Sequence, residues 1–126
     1  MKYLLDTNIC IYLLKHQPQS VIDKFTACKV GDVGISSITW AELLRGCDVY
    51  QPKSVFDKLR ALVPVVDFDE KAAVCFAQIL KDYPHKPKFD TLIAAHAKSL
   101  NIVLVSNNTQ DFEHFNVKLE NWITMN

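Results

Sequence analysis

No stretch of about 18 apolar residues occurs anywhere in this chain, so the sequence offers no membrane span. A secretory signal is missing as well, because Asp6 interrupts the only apolar run near the N-terminus. A cytoplasmic location is the expectation. The four cysteines (Cys10, Cys28, Cys47 and Cys75) include no C-x-x-C pair, and no His stands at zinc-like spacing from them. They read as small buried hydrophobes in a reducing compartment rather than as a metal or redox site. A basic excess is absent too: 14 Lys and Arg balance 14 Asp and Glu. That balance argues mildly against a nucleic-acid binder, yet it leaves room for a local basic rim, since fields follow distribution rather than sum. Repeats, low-complexity tracts and linkers are also lacking. What remains is an ordinary globular composition, 49% hydrophobic and 22% charged over 126 residues. One domain spanning 1–126 is expected, with a core of its own.

The chain is organised around Lys2-Tyr3-Leu4-Leu5-Asp6-Thr7-Asn8. Tyr3 to Leu5 fit a buried central strand, and Asp6 falls where that strand ends. Thr7 and Asn8 can turn the chain into a helix running to about Lys15, with Ile9, Tyr12 and Leu13 on one face. A second helix follows Pro18. A short strand at Val33–Ser36 leads into a helix from Ser37 to about Asp48, capped by Ser36 or Ser37. Pro52 opens another helix to about Leu62, and 63–68 reads as a strand weakened at its start by Pro64. Asp69 caps a helix through Leu80; a two-proline loop ends at Phe89; and Asp90 is expected to cap an alanine-rich helix, Thr91 to Leu100. Ile102 to Val105 is the clearest buried strand. It runs into Ser106-Asn107-Asn108-Thr109, then a short helix at 110–115 and a last strand at 117–120. Strands alternating with helices predict an α/β fold, a mostly parallel sheet covered on both faces.

In open α/β sheets the ligand crevice lies outside the carboxyl ends of the strands. Asp6, Glu42, Asp90 and the Asn107-Asn108 pair all fall just past a strand or near a helix start. Each has a plainer alternative. Asp6 and Asp90 could be N-caps, worth about 1 kcal/mol each. Glu42, three residues after Thr39, has capping-box spacing. The two asparagines could be turn residues. Against those alternatives, Glu42 sits among Trp40, Leu43 and Leu44, where a carboxylate needs compensation. Three clustered carboxylates repel one another unless a divalent cation neutralises them, and all-oxygen ligation suits Mg²⁺ or Mn²⁺. Arg45, Lys86 and Lys88 stand near these motifs as candidate phosphate contacts, or as solvated surface charge. His96, inside the alanine-rich helix, reads as structural.

These stretches resemble PIN-domain ribonucleases. Leu5-Asp6-Thr7-Asn8, the segment Ser36 to Leu43, the run Phe89 to Ala97, the stretch Leu104 to Phe112 and the closing Leu119-Glu120-Asn121-Trp122 are most similar to the VapC toxins of bacterial type II toxin–antitoxin pairs. The resemblance implies a three-layer PIN fold and Mg²⁺-dependent endonucleolytic cleavage of RNA, with tRNA among the substrates to consider. It also implies neutralisation by a VapB-type antitoxin and homodimerisation, alone or in a higher-order complex. It assigns Asp6, Glu42 and Asp90 as the catalytic acids, with Asp6 and Asp90 binding the metal and Glu42 beside it. Asn8 and Asn108 enter as supporting residues. Two departures stand out. Asn107 and Asn108 occupy a place where many relatives carry a fourth acid, with Asp111 nearly a helical turn later, so the site is expected to be one charge short. Pro84 to Phe89 replaces a Gly-rich approach to Asp90. The rival reading is a non-catalytic interaction module whose acids are only helix caps.

Overall fold

The computed structural model describes residues 1–123, and its sheet is assembled outward from the first strand. That strand, β1 (Tyr3–Leu5), pairs in parallel with β2 (Val33–Ser36) on one side and with β4 (Val103–Val105) on the other. Two short strands, β3 (Val65–Val66) and β5 (Leu119–Glu120), extend the two edges, giving the order β3-β2-β1-β4-β5 with every pairing parallel. Tyr3 stands opposite both Val33 and Val103, and Leu5 opposite Val105. The chain moves outward from β1 through β2 to β3, then returns to the far side of β1 for β4. That return makes the β1–β4 boundary the topological switch point, where the strand ends splay and a crevice opens.

Side chains alternate along a strand, so β1 and β4 each feed two cores. Leu5 and Val105 enter a cluster with Ile9, Cys10, Val21, Ile35 and Trp122. This face is covered by α1 (Thr7–Leu14), α2 (Gln19–Thr26), α3 (Ser37–Leu44) and α4 (Lys53–Leu62). Leu4 and Leu104 point the other way, into a cluster with Ile79, Ile93, Phe112 and Phe115. There α5 (Glu70–Asp82), α6 (Phe89–Leu100) and a 3-10 helix (Thr109–Phe115) form the cover. Ala94, Ala95 and Ala97 are fully buried, so α6 packs closely between the sheet and its neighbours. Among the described residues no helix is long and apolar enough to cross a membrane.

Several expected boundaries shift. The strand expected at 63–68 shrinks to Val65–Val66, because Val63 closes α4 with its N–H on Leu59 O at 2.8 Å. The helix expected to reach Asp48 ends at Leu44, where Gly46 and Cys47 N–H groups bond back to Leu43 and Leu44 carbonyls in tighter turns. The last strand is confined to Leu119–Glu120, although Trp122 beyond it is buried against Tyr3. Of the four free cysteines only Cys10 is buried; Cys28, Cys47 and Cys75 are half-exposed, since they lie at helix rims rather than on the sheet.

Candidate active site

Asp6 follows β1 directly, and its backbone N–H donates to Val105 O at 2.9 Å, which fixes it against the end of β4. Its carboxylate accepts the Ile9 N–H at 2.9 Å and so caps α1. The capping alternative is therefore real for Asp6, but it engages only part of the carboxylate's capacity. A carboxylate has about four acceptor sites, and one N–H occupies one of them. The residue is buried, and that burial pushes its pKa up to about 6. Hydrogen bonds from Ser106 and from the Ile9 N–H oppose the rise, while the charges of Asp90 and Glu42 add to it. Asp6, Asp90 and Glu42 thus share one electrostatic field at the switch point.

Glu42 is not part of a capping box. Ser36 is the N-cap of α3, with its hydroxyl accepting the Ile38 N–H at 3.1 Å, and Thr39 lies buried inside the helix. One turn of offset moves Glu42 away from the helix start. It meets Thr7 instead, whose hydroxyl donates to Glu42 Oε1 at 2.7 Å across 35 residues of sequence. The first turn of α1 therefore holds the α3 carboxylate in place.

Asp90 is not the cap of its helix either. The N-cap is Lys88, and the Lys88 N–H donates to the Thr91 hydroxyl at 3.3 Å, so the reach-back comes from Thr91. Asp90 occupies the second helical position with its carboxylate released from capping, where the helix dipole favours an anion. Burial and then the nearby Asp111 charge raise its pKa, and Lys88 opposes them. Asp111 supplies that neighbouring charge from beyond the two asparagines. The 3-10 turn after Asn108 is tight enough to swing it back toward Asp90, and Asn108 donates its amide to the Asp111 carboxylate. Asp90 and Asp111 border one cavity, and Glu42 lines another.

The asparagines divide their duties. Asn107 donates to the Tyr12 hydroxyl at 3.0 Å, tying the end of β4 to α1, and its own buried Oδ1 has no partner. Asn108 orients Asp111, while Asn8 lies exposed on the first turn of α1. His96 is buried away from the acids. Its Nδ1 bonds Ser36 Oγ at 2.8 Å, its ring meets Phe68 edge-on, and burial lowers its pKa, which keeps the ring neutral. It locks α6 to β2.

Two contributors escaped the sequence reading. Ser106, fully buried just past β4, hydrogen-bonds Asp6 and accepts the Asn108 N–H at 3.0 Å. Thr7 sets Glu42. Both are small hydroxyl residues beside a strand end, a signal shared with any turn.

The donor set fits a hard divalent cation. Asp6, Glu42, Asp90 and Asp111 all offer oxygen donors, and the repulsion of Asp6 with Asp90 and Glu42, and of Asp90 with Asp111, is relieved by positive charge. Among the described residues no three acidic, His or Cys side chains stand close enough to make a ready-formed ligand cluster. Mg²⁺ takes only one or two carboxylates directly and keeps several waters.

Comparison with known proteins identifies the family. The PIN domain family matches residues 3–118. The chain is 35% identical to the tRNA(fMet)-specific endonuclease VapC of Shigella flexneri, over 97% of this chain and 98% of that protein. Its fold superposes on crystal structures of DNA-bound VapBC complexes. For VapBC2 of Rickettsia felis the TM-score is 0.85 at 30% identity, covering 98% of this chain and 100% of the other. For VapBC of Salmonella typhimurium it is 0.82 at 33% identity, covering 98% and 99%. Matched end to end in sequence and in fold, the chain belongs to the PIN domain family, in its VapC branch.

Proposed function

We propose that this single-domain protein is the toxin of a VapBC-type toxin–antitoxin pair, an endoribonuclease that needs Mg²⁺ or Mn²⁺ and takes tRNA among its substrates. The observation that carries the reading is Asp6 buried at the end of β1 in the field of both Asp90 and Glu42, with Asp111 acting in turn on Asp90. A bound divalent ion supplies a nucleophilic water at neutral pH and positive charge for the phosphate. Asp6 and Asp90 would hold it, with Glu42 and Asp111 beside them, directly or through water. Thr7 orients Glu42, Asn108 orients Asp111, and Ser106 orients Asp6. His96 is too deeply engaged with Ser36 to take or give a proton at the phosphate.

The antitoxin would bind over the opposite wall of the crevice. An apolar cleft of about 570 Å³, lined by Ile11, Leu14, Leu43, Tyr50 and Phe56, reaches Glu42 at its edge. An apolar peptide segment seated there would occlude the acids. Reading the acids as caps alone has little support: Asp90 and Glu42 cap nothing, and only Asp6 does. The deciding experiment measures cleavage of total tRNA with Mg²⁺, with chelator, and by Asp6→Asn and Asp90→Asn proteins. Cleavage that survives chelation or either substitution overturns the reading.

A further inference from the structure

The proposed chemistry leaves the buried imidazole of His96 unused. It lies in α6 among the fully buried Ala94, Ala95 and Ala97, and is itself only 1% exposed. Nδ1 bonds Ser36 Oγ. Nε2 is buried without a well-formed hydrogen bond, and the Asp67 backbone acts on the ring from nearby. A buried polar atom left half-satisfied opposes folding, and an apolar side chain of similar volume would fill the space without that cost. Filling the core is a poor use of histidine here.

What the ring adds is direction. Contacts made by alanines leave a helix few knobs to fix its slide or rotation against a neighbour. A hydrogen bond holds only over a short range of distance and angle. Ser36 Oγ is shared between two helices that pack together: it accepts the Ile38 N–H that starts α3 and bonds His96 in the middle of α6. Beside it, Ser37 Oγ accepts the Phe68 N–H at 3.0 Å, and the Phe68 ring closes edge-on over the imidazole at 5.4 Å. One junction thus indexes α3 and α6 to the end of β2.

The two acids stand on equal arms from that junction. Glu42 lies six residues beyond Ser36 and Asp90 six residues before His96, about 9 Å along each helix. A tilt of about 10° at the junction would move either carboxylate by about 1.5 Å. Mg²⁺ holds its ligands at about 2.0–2.1 Å with little tolerance, so a shift of that size breaks a direct or water-bridged contact.

We propose that His96 is a positioning residue for the metal site: its bond to Ser36 sets where the Asp90 helix stands relative to the Glu42 helix. This rests on the metal-dependent ribonuclease reading above and adds to it a residue remote from the reacting atoms. His96 acts through the two helices it joins rather than by touching metal or substrate.

The test is binding of Mn²⁺ to the RNA-free protein, read from the electron paramagnetic resonance signal of the free ion. Melting in chelator and cleavage at saturating RNA are measured beside it. His96→Leu should weaken Mn²⁺ binding about tenfold and raise the Mg²⁺ concentration for half-maximal cleavage by the same factor, with KM for RNA unchanged. Its melting temperature in chelator should stay at or above that of wild type, because the group removed was only half-satisfied. His96→Asn presents an oxygen or an amide N–H where Nδ1 stood, and should restore binding to within about twofold. Ser36→Ala removes the same contact from the other side and keeps the test open if His96→Leu does not fold. Combined with His96→Leu, it should add no further loss of Mn²⁺ affinity. A lower melting temperature with unchanged Mn²⁺ affinity, or an Asn variant as weak as the Leu one, overturns the positioning role and leaves the ribonuclease reading intact. Failure of wild type to bind Mn²⁺ overturns that reading and this one with it.

Discussion

On the α1–α3 side, Glu42 borders an apolar cleft that Arg45 also lines; on the α6 side, Asp90 and Asp111 border a polar cavity with exposed rings and two lysines. Asp6 links the two sides, since the charges of both Glu42 and Asp90 act on it. Leu14, Leu43, Tyr50 and Phe56 favour an apolar protein segment, because burying such surface yields roughly 25 cal/mol per Å² and asks for no charge partner. Lys86 and Lys88 favour a polyanion. On the proposed reading, a substrate and an inhibitor share a catalytic crevice without sharing its walls.

Removing either acid proposed to hold the metal should have the largest effect. Asp6→Asn and Asp90→Asn are each expected to lower kcat on the order of a thousandfold, read in an RNA cleavage assay. The pH response follows from Asp6. Its folded pKa of about 6 lies above the unfolded carboxylate value of 3.8, so the folded state binds the proton more tightly. The resulting destabilisation is absent below about pH 4, grows as pH rises and is complete above pH 6. At pH 8 without divalent cation it amounts to roughly 3 kcal/mol. Asn caps α1 as well as Asp does, so Asp6→Asn should melt higher than wild type at pH 8 and about equally at pH 4. Mg²⁺ at pH 8 should narrow that gap by stabilising wild type, and cleavage at subsaturating Mg²⁺ should fall as pH drops through about 6, where protons compete with the ion for Asp6.

Thr7→Val leaves Glu42 without its donor, with an expected loss of about tenfold in kcat and about 1 kcal/mol in stability by chemical denaturation. Tyr50→Ala, on an exposed side chain of the apolar wall, should change stability by less than about 0.5 kcal/mol. Its expected effect is confined to antitoxin affinity, measured by titration calorimetry. A comparable rise in KM for RNA would erase the distinction between the walls.

The parts of the site legible in sequence were those set by local rules. Leu4 and Leu5 announce a strand buried on both faces, and an acid after it is visible by eye. Helix starts were less legible. Asp90 looked like a cap because caps and first-turn acids share residue types; the exposed Phe89 one position earlier carries no periodic signal that would move the boundary. Glu42's partner lies 35 residues away, a distance at which only the folded chain supplies the pairing. Asp111 was visible as a residue but not as a neighbour of Asp90, since a 3-10 turn and an α-helical one place the same acid in different directions. The Ser36–His96 pair joins residues 60 positions apart and has no local signature at all.

The setting of Asp6 has a consequence for control. Its N–H is spent on Val105, its side chain caps α1, and the leucines before it are locked into opposite cores. The acid is in position as soon as the sheet has formed, with no slack left for the chain to withdraw it. A nuclease built this way carries its restraint outside itself, in whatever covers the crevice, and loses that restraint when the cover is degraded.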